Sequence, residues 1–237
     1  MGSHGRTDCL KRQPKIDCDH FLCVFNALVA KMSNPVDFKL YLITDRHQIP
    51  AGHTLFSVIE AALRGGVKAV QLREKDLSTE ELLPLAQELR TLTRQHGARL
   101  LINDHVDVAL AVKADGVHLG GHSRPTEAVR RQVGTEMLIG VSTHSQDETL
   151  TAFEQGADFV TFGPVYTTPS KAAYGAPQGL SALAEACRNS PLPVFALGGI
   201  TSERAAEARA AGAYGVAVIS AIIGSAAPES AAKSFST

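Results

Sequence analysis

The sequence lacks tryptophan and has few other aromatic residues, nine Phe and four Tyr among 237 residues. Proteins that bind single-stranded nucleic acid stack the bases on aromatic side chains, so this scarcity argues against such a ligand. An excess of charge is absent too, because 23 Lys and Arg stand against 24 Asp and Glu. A balanced charge gives no overall attraction to nucleic acid or to an anionic membrane surface, and we expect neither as a partner.

Long apolar runs and paired cysteines are also absent. No run approaches the roughly 20 residues that span a bilayer, so we expect no transmembrane segment. Three of the four cysteines, at positions 9, 18 and 23, lie near the N-terminus. They lack the Cys-x-x-Cys spacing of a zinc site, which argues against a metal centre there.

The first 36 residues differ in pattern from the rest. Basic residues precede a short apolar run, residues 21–30, which loosely resembles a signal peptide. Met32 offers an alternative start just before the first predicted strand. We predict that residues 1–36 are an N-terminal extension, either disordered or outside the native start. Residues 37–237 are predicted to form one domain of a cytoplasmic protein.

From Lys39 onward, short apolar runs alternate with amphipathic segments, which is typical of a parallel sheet with crossover helices. Thr54 is a predicted N-cap, and Ser78 with Glu81 forms a predicted capping box. Eight such units in about 200 residues indicate a single (β/α)8 TIM barrel. A doubly wound sheet is the alternative, but no Gly-x-Gly-x-x-Gly follows the first run. The predicted strands are residues 40–44, 69–73, 100–103, 116–119, 138–142, 159–163, 194–197 and 216–220.

Polar residues follow these strands at their carboxyl ends, where the active sites of barrels lie. In the second strand Gln71, Arg73 and Lys75 share one face, because side chains alternate along a strand. Two cations on a buried face need an anion, since burying an unpaired cation is costly. The stretch therefore predicts a phosphate or pyrophosphate site; taken alone, it also suits an edge strand with a solvated charged face.

A second phosphate site is predicted after the seventh and eighth strands. Gly198 and Gly199 follow the seventh, and Ile219 and Ser220 close the eighth. Glycines let backbone N–H groups approach a ligand, and the start of the next helix adds a partial positive charge. Either half alone is also compatible with an ordinary tight turn.

The loop after the sixth strand, residues 163–171, carries Thr168, Ser170 and Lys171. Two hydroxyls and an ammonium group on a loop can close over an anion and exclude water. A plain surface loop is the alternative interpretation.

Two further candidates lie at the same end of the barrel. Asn103 and Asp104 end the third strand, where a carboxylate beside an amide can hold a magnesium ion on phosphate oxygens. An internal ion pair between Asp104 and Arg73 is the alternative. His144 follows the fifth strand, and imidazole suits proton transfer near neutral pH. A solvent-facing or capping role is the alternative for His144.

With these residues assigned, the sequence resembles the thiamine phosphate synthase and TenI family over residues 39–223. Synthases of this family join hydroxymethylpyrimidine pyrophosphate to a thiazole phosphate and release pyrophosphate. The resemblance implies a TIM barrel, small-molecule substrates, bound magnesium and a homodimer. It is carried by seven ordered stretches, residues 71–75, 102–104, 114–120, 140–144, 163–171, 197–201 and 218–222.

The resemblance also implies roles for individual residues. Asp104 binds magnesium, and the catalytic cations around the leaving pyrophosphate are Arg73, Lys75 and Lys171. The residues implied to hold the pyrimidine and its pyrophosphate are Gln71, Arg73, Lys75, Asn103, Ser142 and Lys171. The residues implied to hold the thiazole phosphate are Thr168, Ser170, Gly198, Gly199, Ile219 and Ser220.

One position departs from the synthase pattern, because Ser123 stands where a second magnesium-binding carboxylate is usual. TenI-type proteins often have serine in this region and isomerise a thiazole carboxylate phosphate, for which His144 matches the general acid/base. Retention of Arg73, Lys75 and Lys171 favours the synthase. The tautomerase is the alternative, and a non-catalytic binder of thiamine-pathway phosphates is a third hypothesis.

Overall fold

Eight short parallel strands alternate with helices in this computed structural model, which describes residues 36–168 and 176–235. The predicted extension up to residue 35 lies outside the described residues, as do Ser170 and Lys171. The strands are β1 (Leu40–Ile43), β2 (Ala69–Leu72), β3 (Arg99–Asn103), β4 (Gly116–Leu119), β5 (Leu138–Thr143), β6 (Phe159–Phe162), β7 (Val194–Leu197) and β8 (Gly215–Val218).

Each strand pairs with the next one along the chain, and β1 also pairs with β8. Tyr41 in β1 is in register with Ala69 in β2 on one side and with Ala217 in β8 on the other. A doubly wound sheet has two open edges, whereas this sheet closes on itself. The predicted (β/α)8 barrel is therefore confirmed.

The helices begin where the sequence supplies caps. The Thr54 hydroxyl accepts the Ser57 N–H at 3.1 Å, and the Ser57 hydroxyl accepts the Thr54 N–H at 2.9 Å. Ser78 and Glu81 form the same reciprocal pair, which satisfies N–H groups that lack partners within the helix. No described helix is long and apolar enough to cross a membrane. The helices are α1 (Leu55–Arg64), α2 (Thr79–Gln95), α3 (Val106–Ala111), α4 (Thr126–Val133), α5 (Gln146–Glu154), α6 (Gly179–Asn189), α7 (Ser202–Ala210), α8 (Ser220–Ile223) and α9 (Pro228–Lys233).

Four strands, β1, β2, β6 and β8, end earlier than the sequence pattern predicts. β2 ends at Leu72, so Arg73 and Lys75 lie beyond the ladder. β8 ends at Val218 because the backbone leaves the extended conformation at Ile219, with φ −119° and ψ −87°. The prediction that Ser220 closes a strand was wrong, since Ser220 is the first residue of α8.

The strands separate two hydrophobic cores. Side chains that point outward, such as Val117, pack between the sheet and the helices. Side chains that point inward fill the barrel with aromatic rings from Phe38, Tyr41, Phe159 and Phe195. Phe38 precedes β1 and is 1% exposed, with its ring centroid 5.6 Å from that of Phe159. These rings close the amino-terminal end of the barrel and leave the carboxyl end as the place for a site.

Glycines on the inner face make room for these rings. A Cβ atom at Gly140 would lie 2.4 Å from Cζ of Phe159, and one at Gly215 would lie 2.6 Å from Cε1 of Phe195. Such contacts are far inside van der Waals separation, so larger residues at either position would displace the ring.

Phe195→Ala is expected to destabilise the protein strongly, because the ring contacts Phe38, Tyr41, Phe159 and Tyr214. Removing a buried Phe costs about 3–5 kcal/mol through lost burial and the cavity left behind. Urea unfolding of the full chain measures this loss. Leu110→Ala is the control, because Leu110 is 42% exposed; equal losses in the two variants would contradict the assignment of the inner core.

Candidate active site

A cavity of about 220 Å³ opens at the carboxyl end of the barrel. It collects side chains and backbone from the ends of several strands, as expected of a barrel active site. The predicted site residues among those that line it are Arg73, Lys75, Ser142, His144, Thr168, Gly198, Gly199, Ile219 and Ser220. Asp45 and Gln48, which follow β1, also line it and were not among the predicted site residues.

Gly198 and Gly199 form one rim of the cavity. Their φ angles are +98° and +66°, which glycine adopts without strain. A Cβ at Gly199 would lie 2.9 Å from the carbonyl oxygen of Thr167. The absence of side chains therefore lets the backbone of two loops approach each other, next to the start of α8 at Ser220.

A cationic wall faces the same cavity from the end of β2. Arg73 is half-buried and donates its backbone N–H to the Thr44 hydroxyl at 2.9 Å. Lys75 is exposed and lines the cavity with it. Because Arg73 and Lys75 both reach this cavity, two positive charges meet any ligand there.

The residues that flank Lys75 point to a different partner. Glu74 is 5% exposed and accepts from Arg46 through its backbone N–H at 3.1 Å and its guanidinium at 3.3 Å. Arg46 also makes two hydrogen bonds to Asp76, and these hold the pKa of Asp76 well below its usual range. Arg46 is thereby bound to two carboxylates, to Glu74 through one oxygen and to Asp76 through both.

Asn103 and Asp104 line an adjacent cavity of about 260 Å³, which also contacts Lys75. Asp104 has φ +60°, and one of its oxygens accepts from the Asn103 amide at 2.8 Å. The other oxygen accepts from the Ser123 hydroxyl. Among the described residues, no ion pair joins Asp104 to Arg73, so the internal pair considered above does not form.

Ser123 therefore lies directly against the predicted magnesium ligand. Within the described ranges, no group of three His, Cys, Asp or Glu side chains is arranged to hold a metal ion. Magnesium in phosphate sites is commonly held by one or two carboxylates together with substrate oxygens and water. Asp104 beside the cationic wall fits that minimal arrangement.

His144 lines the cavity from the end of β5, but its side chain is 45% exposed. Its Nδ1 lies 3.1 Å from the Glu148 carboxylate, which also accepts the His144 backbone N–H at 2.7 Å. These contacts orient the imidazole at the mouth of the cavity.

A chain of polar side chains, buried except for the half-buried Ser142, lies beneath the cavity. Gln71 and Ser142 were among the predicted site residues, whereas Tyr41, His118 and Thr161 were not. Gln71 Nε2 donates to the Tyr41 hydroxyl at 2.9 Å, which lies 3.4 Å from His118 Nδ1. His118 Nε2 lies 3.0 Å from the Ser142 hydroxyl, and the Thr161 hydroxyl donates to Ser142 at 3.4 Å. These five residues are called the polar relay below. Their inward positions on five strands were the available signal.

Burial keeps the ionisable members of the polar relay neutral. It lowers the pKa of His118 to about 3 and raises the pKa of Tyr41 well above its usual value. Their exposed fractions are 2% and 0%, respectively. An uncharged imidazole and a protonated phenol therefore form the floor under Ser142.

With this geometry established, comparison with known proteins identifies the family. The family described as thiamine monophosphate synthase matches residues 40–222. A Geobacter sulfurreducens protein named "Putative thiamine-phosphate synthase" is 57% identical over 84% of this chain and 93% of its own. A Roseiflexus thiamine-phosphate synthase is 44% identical over 88% of this chain and 90% of its own.

A solved structure agrees. Thiamine phosphate pyrophosphorylase from Pyrococcus furiosus has a TM-score of 0.76 and 37% identity, covering 84% of this chain and 94% of its own. The chain belongs to the thiamine monophosphate synthase family. The membership expected from the seven sequence stretches is confirmed, and the matched range includes both cavities described above.

Gly199→Ala is expected to weaken binding of inorganic phosphate about tenfold or more, because hydrogen bonds from backbone N–H groups to the charged phosphate are lost. The added Cβ would push the rim away from Thr167, which displaces the N–H groups that a phosphate would meet. Isothermal titration calorimetry on the full chain measures the affinity.

Gly97→Ala is the matched control, because Gly97 has φ +59° and open space around its Cβ position. It carries the same backbone strain away from the cavity and should leave phosphate affinity unchanged. Equal losses in both variants would mean that strain, and not the rim, determines binding.

Proposed function

We propose that this chain joins hydroxymethylpyrimidine pyrophosphate to thiazole phosphate and releases pyrophosphate. It is thus a transferase that forms thiamine phosphate from small-molecule substrates. The observation that carries the proposal is the pairing of a cationic wall, Arg73 and Lys75, with a glycine rim in one cavity. Two anion-binding surfaces facing each other suit one substrate with a pyrophosphate and another with a phosphate. Relatives named as synthases across most of the chain support the same reaction.

In the proposed reaction the bond between the pyrimidine methylene carbon and the pyrophosphate oxygen breaks, and its electron pair leaves with pyrophosphate. The thiazole nitrogen then donates its lone pair to the resulting methylene cation and forms the new carbon–nitrogen bond. Negative charge develops on the leaving oxygen, where cationic donors in a partly enclosed site stabilise the transition state. Arg73 and Lys75 supply the positive charge that stabilises this oxygen, and we propose that Lys171 contributes as well.

The thiazole phosphate is proposed to bind at the opposite rim. Backbone N–H groups near Gly199, Ile219 and Ser220 offer hydrogen bonds to phosphate oxygens, and Thr168 lines the same cavity. We include Ser170 in this group as the sequence predicts. Holding both substrates in one cavity converts a bimolecular step into a step between aligned neighbours.

Magnesium is a proposed cofactor. Asp104 would hold it, with Asn103 and Ser123 beside that carboxylate. When bound, the ion would neutralise charge on the pyrophosphate. Gln71 and Asn103 remain proposed contacts of the pyrimidine substrate, because Gln71 lies on the floor below the cationic wall and Asn103 lines the adjacent cavity.

The direct test is incubation of the full chain with both substrates, with and without magnesium, followed by assay of thiamine phosphate. Magnesium-dependent product is expected. No product from folded protein that still binds thiazole phosphate would overturn the synthase. Turnover of a thiazole carboxylate phosphate instead would establish the tautomerase. Binding without any turnover would support the non-catalytic binder.

Arg73→Ala and His144→Ala separate the synthase from the tautomerase. Removing the Arg73 guanidinium should slow synthesis about a hundredfold or more, because charge develops beside it in the transition state. His144→Ala should leave most of the synthase rate, whereas a tautomerase would lose about 10²–10⁴-fold with its general acid/base. Steady-state kcat/KM for each variant measures the difference. The opposite ranking would contradict the proposed reaction.

Ser123→Asp is expected to tighten magnesium binding, because it places a second carboxylate against Asp104. Ser123→Asn is the matched control, since asparagine has nearly the same size and carries no charge. Calorimetry with magnesium on each variant gives the affinities. Unchanged affinity in the aspartate variant would remove Asp104 and position 123 from the metal site.

We further propose a cytoplasmic homodimer. The family resemblance carries this prediction. Light scattering of the purified chain at several concentrations measures its mass in solution, and a monomer throughout would contradict it.

A further inference from the structure

The contacts within the polar relay determine which of its atoms donate hydrogen bonds and which accept them. Tyr41, Gln71, His118 and Thr161 are between 0% and 2% exposed. A buried donor without an acceptor is costly, so each N–H and O–H group of these side chains needs an acceptor within the relay or beside it. The Gln71 amide gives the first direction, because its N–H donates to the Tyr41 oxygen.

The Tyr41 hydroxyl has one proton of its own to donate. Within the described part of the chain, the polar side chains recorded at its oxygen are those of Gln71 and His118. Gln71 already donates to it, so the remaining acceptor is Nδ1 of His118. The reverse arrangement, with a proton on Nδ1, would leave the phenolic O–H buried without an acceptor.

Nδ1 thus accepts a hydrogen bond and carries no proton itself, so the ring proton lies on Nε2. That N–H donates to the Ser142 oxygen at 3.0 Å, and the Thr161 hydroxyl donates to the same oxygen at 3.4 Å. Both lone pairs of Ser142 are then occupied. Its own O–H is left as a donor, and Ser142 lines the cavity.

We propose that Tyr41 and His118 are positioning residues that fix the Ser142 hydroxyl as a hydrogen-bond donor to the substrate. The substrate atom at Ser142 must then be an acceptor with an accessible lone pair, such as an aromatic ring nitrogen. A ring C–H or a protonated ring nitrogen at that point could not bond to Ser142, because the Ser142 oxygen has no lone pair left to accept a hydrogen bond. The identity of that substrate as the pyrimidine pyrophosphate rests on the proposed function; the direction of the relay does not.

The direction is tested without substrate. Nitrogen NMR of the full chain labelled at histidine distinguishes protonated from unprotonated ring nitrogens. The His118 signals are assigned as those missing from His118→Gln. We expect a proton on Nε2 and none on Nδ1. A proton on Nδ1, or on both nitrogens, at neutral pH would overturn the proposal.

The action through Ser142 is tested by a double-mutant cycle. Calorimetry with hydroxymethylpyrimidine pyrophosphate should show roughly tenfold weaker binding for His118→Leu and for Ser142→Ala, the loss of one hydrogen bond. In the double variant the effects should not add, because both changes remove the same contact. Fully additive losses would assign His118 a structural role alone.

Two further variants complete the test. His118→Gln retains an amide N–H that can donate to Ser142, so it should recover most of the affinity lost in His118→Leu. Thr93→Val is the control for stability, because Thr93 is 0% exposed and its hydroxyl donates to the Arg90 carbonyl within α2, away from the cavity. It should leave affinity unchanged. No recovery in His118→Gln, or an equal loss in Thr93→Val, would contradict the positioning role.

Failure of the two proposals is distinguishable. A wild-type chain that does not bind the pyrimidine pyrophosphate, but has its proton on Nε2, refutes the proposed substrate and keeps the relay. A chain that makes thiamine phosphate with Nδ1 protonated refutes the relay and keeps the function.

Discussion

Pairing of β1 with both β2 and β8 closes the sheet, and the position of every group in the site depends on that closure. In a closed parallel barrel all carboxyl ends meet in one ring. Residues far apart in sequence, such as Arg73 and Gly199, therefore line one cavity. An open sheet would distribute the same side chains along an edge, and a ligand with two anionic ends would lack opposed surfaces.

Closure also divides the interior into layers of different chemistry. Aromatic rings fill the amino-terminal half, and the polar relay lies between those rings and the cavity. Tyr41 belongs to both layers, since its ring packs against Phe159 and its hydroxyl faces His118. The aromatic layer excludes water, and this exclusion keeps His118 uncharged. Packing at the base thereby determines hydrogen bonding at the site.

Local signals in the sequence were sufficient for the architecture. Apolar runs and the caps at Thr54 and Ser78 give the units, and their number gives the barrel. The end of β2 was misjudged because the side-chain alternation continues through Arg73, and the end of β8 because the apolar pattern continues through Ile219. The sequence pattern reports which side chains are apolar or alternate, whereas the end of a strand is defined by its last backbone hydrogen bond to a neighbouring strand.

The site was predictable only in part, for a related reason. Side-chain alternation predicts that Gln71 and Arg73 point toward the interior. The resemblance to the family places Ser123 where a second magnesium ligand is usual, and Ser123 does lie against Asp104. The link between Gln71 and Ser142 was not predicted, because it runs through Tyr41 and His118, which are 77 residues apart. Whether their side chains meet depends on the stagger between strands, which the sequence does not encode in any local pattern.

The ring of Phe38, together with the other rings at the base of the barrel, determines the side from which ligands enter the cavity. Because the rings seal the amino-terminal end, the cavity formed by the described residues opens at the carboxyl end of the barrel, where both substrates of the proposed reaction would enter. A molecule on the floor at Ser142 and one at the glycine rim therefore enter from the same side, and the joined product leaves toward that side. The aromatic rings that stabilise the fold thus give substrates and product a common side of entry and exit.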